Sequence, residues 1–169
     1  MKKYLLDTNI YANAYERFYR NDYFPSFWEK FAGVLNDHVV IPKIVKDEIT
    51  KSDWFHKWLD DNYQDAILNH KDYSEGWQTV LEYVQSSGLY KEQALTDQVR
   101  GWAQETIADP WLVAIAKEDE LILVTAEVKD PNLDKGNRVK SAKIPDVCDR
   151  QGVRCITMNE FFGEIGLLI

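Results

Sequence analysis

The chain divides into short continuous apolar runs and longer segments whose apolar residues recur every three or four positions, the patterns of buried strands and amphipathic helices. Tyr4-Leu5-Leu6 predicts a first strand, and the cap-type residues Asp7-Thr8-Asn9 lead into a helix over 10–15. Pro25 opens a second helix with Phe27, Trp28, Phe31, Val34 and Leu35 on one face. Val39-Val40-Ile41 follows as a strand, and Pro42 starts a helix with Ile44, Val45 and Ile49 facing inward. From 52 to 102 there is no strand pattern. Trp54, Trp58, Trp77, Leu81, Val84, Leu89, Leu95 and Trp102 mark several helices there, broken near Asn62, Lys71 and Gly88. Residues 110–117 are apolar nearly all round, as a buried helix is, and Leu121-Ile122-Leu123-Val124-Thr125 is the clearest strand. A polar loop over 126–143, a helix over 145–151, a strand over 153–156 and a helix over 158–165 complete the pattern. Strands alternating with helices predict an α/β fold with a parallel, doubly wound sheet and an all-helical section at about 52–102.

At 169 residues the chain has the size of one domain, and a single domain over 1–169 is expected. No apolar run is long enough to span a bilayer, and the one at the N-terminus stops at Asp7. Two cysteines, Cys148 and Cys155, and three scattered histidines, His38, His56 and His70, point to a reducing, cytoplasmic setting and away from a zinc site. The formal net charge is -8, the wrong sign for holding nucleic acid on a broad basic surface. A nucleic-acid substrate would therefore need bound metal ions or a local basic segment. Residues 129–143 offer one, with Lys129, Lys135, Arg138, Lys140 and Lys143 against Asp130 and Asp134, a net +3. Arg138, Lys140 and Lys143 are the expected phosphate contacts, and a merely solvated loop is the plain alternative.

In parallel sheets ligands bind at the carboxyl ends of the strands. Asp7 follows the first predicted strand, and Glu127 lies just beyond Thr125 at the end of the third. Asp109 is expected as N-cap of the buried helix, and Glu48 stands one turn after Ile44 and Val45, beside the buried stripe. Singly, each has a plain reading: Asp7 and Asp109 as helix caps, Glu48 and Glu127 as solvated charge. Together they mean more, because carboxylates gathered in one place repel one another and persist most readily around a cation. An all-oxygen ligand set suits Mg²⁺ or Mn²⁺.

With these residues laid out, the sequence resembles the PIN-domain family, metal-dependent nucleases that include the VapC-type toxins. The motifs that carry the resemblance are Leu5-Leu6-Asp7-Thr8-Asn9, the segment from Pro42 to Glu48, Ala108-Asp109-Pro110-Trp111-Leu112-Val113-Ala114-Ile115-Ala116, and Leu123-Val124-Thr125-Ala126-Glu127. Their order and context match along nearly the whole chain. Many members carry Asn-Asp after the threonine, where Ala126-Glu127 stands here, so Glu127 or Asp130 is the fourth acid. The helical middle and the segment through Ile144-Pro145-Asp146-Val147-Cys148 look like an uncharacterised PIN-like branch placed near toxin–antitoxin systems.

The resemblance implies a three-layer α/β/α fold with a short parallel sheet and a helical insertion. It implies an endoribonuclease, the toxin of a toxin–antitoxin pair, in which Asp7, Glu48, Asp109 and Glu127 hold Mg²⁺ or Mn²⁺ and a metal-activated water hydrolyses RNA. Thr8, Asn9 and Thr125 would orient ligands or water. The implied partners are RNA, an antitoxin protein and a second copy of the chain. The aromatic residues of the helical section would stack bases or bind an antitoxin helix, or else pack the core or a homodimer interface. Two rivals stay open. One is a catalytically degenerate PIN-like scaffold that serves as a protein-interaction module; the other is a phosphate-handling α/β enzyme, which would want aspartate where Asn9 stands.

Overall fold

The computed structural model describes residues 1–169. Four parallel strands, β1 (Tyr4–Leu6), β2 (Val39–Val40), β3 (Ile122–Val124) and β4 (Cys155–Ile156), form one sheet in the order β2-β1-β3-β4. Tyr4, Leu5 and Leu6 are consecutive and all buried. Successive strand side chains point to opposite faces, so both faces of the central strand are covered. This is the parallel α/β sheet that the alternation of patterns predicts, in the three-layer arrangement that the resemblance implies.

Nine α-helices surround the sheet: α1 (Thr8–Ala12), α2 (Pro25–His38), α3 (Lys43–Glu48), α4 (Asp53–Asn62), α5 (Ser74–Ser86), α6 (Gln93–Thr96), α7 (Ala108–Glu118), α8 (Ile144–Gln151) and α9 (Met158–Ile165). The helical section from α4 to α6 contributes no strand to the sheet; an isolated bridge joins its Leu68 to Pro42 beside α3. The breaks expected near Asn62 and Lys71 fall at the two ends of a stretch without α-helix, whose last residues, 70–73, form a 3-10 turn that runs into α5. At the N-terminus α1 widens into a π-helix over Asn13–Phe18, which the apolar pattern does not distinguish from an α-helix.

Helix α7 explains much of the architecture. Residues from Ala108 to Ala116, Asp109 apart, are buried, and the helix packs against α5, α8 and β3. An amphipathic helix would keep one face for water, whereas this one is a central strut. Pro110 sits in its first turn, where a missing N–H costs nothing. Asp109 was expected at the cap; Ile107 takes that place, and Asp109 lies inside the first turn, where a carboxylate also suits the helix dipole. The aromatic residues mostly pack inside. Trp28, Phe31, Phe55 and Trp58 form one cluster, and Trp77 stacks on Trp111 with ring centroids 4.8 Å apart.

Candidate metal centre and nucleic-acid cleft

Asp7 follows β1 directly and occupies the N-cap position of α1, yet its side chain makes no capping hydrogen bond. Its carboxylate instead accepts a hydrogen bond from the Thr125 hydroxyl at 2.8 Å. The same hydroxyl accepts from the backbone N–H of Glu127 at 3.0 Å and from the Asn9 amide at 3.4 Å. Asn9 in turn accepts from the Ala126 N–H at 3.1 Å. The ends of neighbouring strands β1 and β3 are therefore tied by side chains where the ladder runs out, and Thr125 and Asn9 orient their neighbours. The Thr8 hydroxyl is buried without a well-formed hydrogen bond and lies beside Glu48.

Glu48, at the end of α3, accepts from the Ala108 N–H at 2.9 Å, so one of its oxygens anchors the N-terminus of α7. Glu127 does the same for α8, accepting from the Ile144 N–H at 2.8 Å. Each bond fills a helix-end donor that has no intrahelical partner. Each also fixes the carboxylate in place while leaving its second oxygen for another partner.

The electrostatics place the four acids in one neighbourhood. Burial, with the charges of Glu127 and Glu48 adding to it and the Thr125 bond opposing, raises Asp7 from its ordinary 3.8 to about 7. Asp109 is raised well above the usual carboxylate range by burial first, then by Asp7, Glu127 and Glu48, while Lys143 acts in the opposite sense. Burial also raises Glu48, and the Ala108 N–H and the Thr8 hydroxyl offset part of that rise. Asp130, the other possible fourth acid, stands apart: its carboxylate accepts from the Asn132 N–H at 2.8 Å in a local turn. Glu127 is the acid that faces the other three. No three His, Cys, Asp or Glu side chains are closed to the spacing of a ready-made ion site. Four oxygen donors, crowded and partly fixed in orientation, fit a hard divalent ion in kind.

Glu48, Asp109 and Glu127 line a cleft of about 470 Å³, with Arg100, Lys140 and Lys143 among its other residues. Asp7, only 4% exposed, lies behind them. Of the three expected phosphate contacts, Lys140 and Lys143 line the cleft and Arg138 does not; it is exposed farther along the loop. Lys129 is engaged with Asp149. Arg100 is a cleft residue that the sequence pattern missed. A tight turn carries it: the Asp97 carboxylate accepts from the Val99 and Arg100 N–H groups at 2.9 and 2.8 Å. Gly101 completes the turn, where a Cβ would overlap the Leu95 and Asp97 carbonyl oxygens. The signal available in the sequence was the Asp97-to-Gly101 turn signature rather than any charge run.

Residues 4–167 match the model of the family described as a domain of unknown function, DUF4411, and the chain belongs to that family. No curated protein matches it. Among solved structures it is similar to a chain of VapBC2 from Rickettsia felis bound to a DNA fragment from their promoter. The identity is 17%, the TM-score 0.45, and the match covers 83% of this chain and 98% of that one. No helix is long and apolar enough to cross a membrane.

Proposed function

We propose that this protein is a metal-dependent endoribonuclease of the PIN-like type, hydrolysing phosphodiester bonds of RNA as the toxin of a toxin–antitoxin pair. One observation carries the nuclease reading: carboxylates from four distant segments gather at the carboxyl edge of a parallel sheet, with Asp7, Glu48 and Asp109 raised in proton affinity, at a cleft with cations on its wall. Asp7, Glu48, Asp109 and Glu127 would hold Mg²⁺ or Mn²⁺, which supplies positive charge opposite the scissile phosphate and acidifies water. The protein's own contribution is orientation. Thr125 and Asn9 hold Asp7 and the β3 end, the α7 and α8 N-termini hold Glu48 and Glu127, and Arg100, Lys140 and Lys143 receive the phosphates on either side of the cut. The toxin role and an antitoxin partner rest on the order of the motifs.

A second reading has its own support, since Glu48 and Glu127 each anchor a helix and would be kept in a scaffold that cuts nothing. Asp7→Asn separates the two. The substitution removes one charge from a crowded group and keeps the shape, so melting of the metal-free protein holds steady or rises. Under the nuclease reading, Mn²⁺ stabilisation and cleavage of single-stranded RNA fall by more than the ~10–100-fold typical of losing an outer partner of a metal site. Equal cleavage by the two proteins, or a wild type with neither Mn²⁺ stabilisation nor cleavage, establishes the scaffold.

A further inference from the structure

Glu127 stands between two hollows. On one side is the cationic cleft; on the other is a groove of about 530 Å³ bounded by Asn13, Phe18, Val128 and Met158, with Glu127 forming the shared edge. The two differ in chemistry. The cleft has charged walls suited to phosphate, while the groove has apolar walls with amides among them. Phe18 is 54% exposed and Val128 76% exposed at this groove, although both are large and apolar.

The π-helix aims two of these residues. Its ladder includes the Tyr19 N–H bonded to the Ala14 carbonyl at 2.9 Å, a five-residue step. With such a step, residues five apart come nearer to one face, whereas five residues of α-helix cover about 1.4 turns and face apart. Asn13 and Phe18 are five apart, and both line the groove. The widened turn therefore sets an aromatic face and a side-chain amide together beside the acid cluster.

We propose that this groove receives a nucleobase of the substrate strand next to the scissile phosphate and sets the sequence preference of the cut; this rests on the nuclease reading for its substrate. Phe18 stacks on the base, Val128 and Met158 enclose it, and the Asn13 and Asn159 amides meet its edge. An unpaired base offers an apolar face and a hydrogen-bonding edge, the combination this groove complements. The strand's phosphates turn the other way, towards Lys140, Lys143 and Arg100.

The test reads binding rather than cleavage, so that it can fail separately from the nuclease reading. Fluorescein-labelled 12-residue homopolymers of A, C, G and U are titrated with the wild-type protein in EDTA, where a metal-dependent nuclease leaves the strand intact, and anisotropy gives the four dissociation constants. The expected result is a preference for one base, with Phe18→Ala weakening that homopolymer roughly fivefold or more through lost stacking. Phe18→Leu gives only partial recovery, and Asn13→Ala and Asn159→Ala narrow the spread among the four. Phe18 and Asn159 are exposed, so their variants fold. Equal affinity for all four homopolymers, or variants that leave the preferred one unchanged, overturns the proposal and leaves the groove to a protein partner. Base-selective binding in EDTA without cleavage in Mg²⁺ sustains the pocket and overturns the nuclease reading instead.

Discussion

The Thr125 hydroxyl donates to the Asp7 carboxylate at 2.8 Å, joining the ends of two neighbouring strands through residues 118 positions apart in the chain. The bond favours the charged form of Asp7, yet burial outweighs it and the carboxyl keeps its proton to about pH 7. Asp7 is thus held in orientation by a bond too weak to hold its charge.

Stability of the metal-free protein depends on pH through that balance. A carboxyl that binds its proton more tightly when folded contributes stability that is fully present below its ordinary value of 3.8 and is lost as pH rises through about 7. Asp109 and Glu48 act in the same direction. The melting temperature of the metal-free protein should therefore fall by several degrees between pH 5 and pH 8, each kcal/mol being about 2–4 °C at this chain length. Added Mn²⁺ should stabilise more at pH 8 than at pH 5, where protons compete with it. Calorimetric scans at both pH values, with and without Mn²⁺, measure both effects. In Asp7→Asn the pH slope should be shallower.

Glu48 anchors α7, and one pair of substitutions separates that role from the proposed metal role. Glu48→Gln keeps an oxygen to accept from Ala108 N–H but removes the charge, so stability should hold while Mn²⁺ affinity and cleavage drop at least tenfold. Glu48→Ala loses the helix anchor as well and should cost about 1 kcal/mol more in urea unfolding. If Glu48→Gln cleaves like wild type, the residue is an anchor and nothing else.

The cleft cations should show in the salt dependence of RNA binding. Each phosphate contact contributes about one unit to the slope of log affinity against log salt, so Lys140→Gln with Lys143→Gln should reduce the slope by about 2. Arg138→Gln should change it less, because that side chain lies outside the cleft lining. Binding isotherms at four salt concentrations supply the slopes.

Elements that follow from local pattern were legible in the sequence. The apolar runs at 4–6 and 121–125 locate the two central strands, and the all-round apolar character of 110–117 identifies α7 as internal. Asp7 and Glu127 were readable as strand-end residues for the same reason. What tertiary packing decides was not legible. That Ala108 and Ile144 donate to Glu48 and Glu127 depends on where two helices begin relative to distant loops. Ile107 rather than Asp109 caps α7 because backbone geometry, not residue preference, sets where that helix begins. Arg100 sits in a polar turn indistinguishable by composition from any surface loop, and the π-helix at 13–18 carries an ordinary helical pattern.

The strand order has a consequence for the protein while it is being made. Because β1 pairs with β3 and Asp7 is held by Thr125, the first acid waits at the start of the chain for partners that emerge only after most of it has been synthesised. A partly translated chain has Asp7 and Glu48 but neither Asp109 nor Glu127, and no β3 to cover β1. The acid cluster is therefore assembled only once the segment through Glu127 has left the ribosome, and proteolytic removal of the residues beyond 120 would take it apart again.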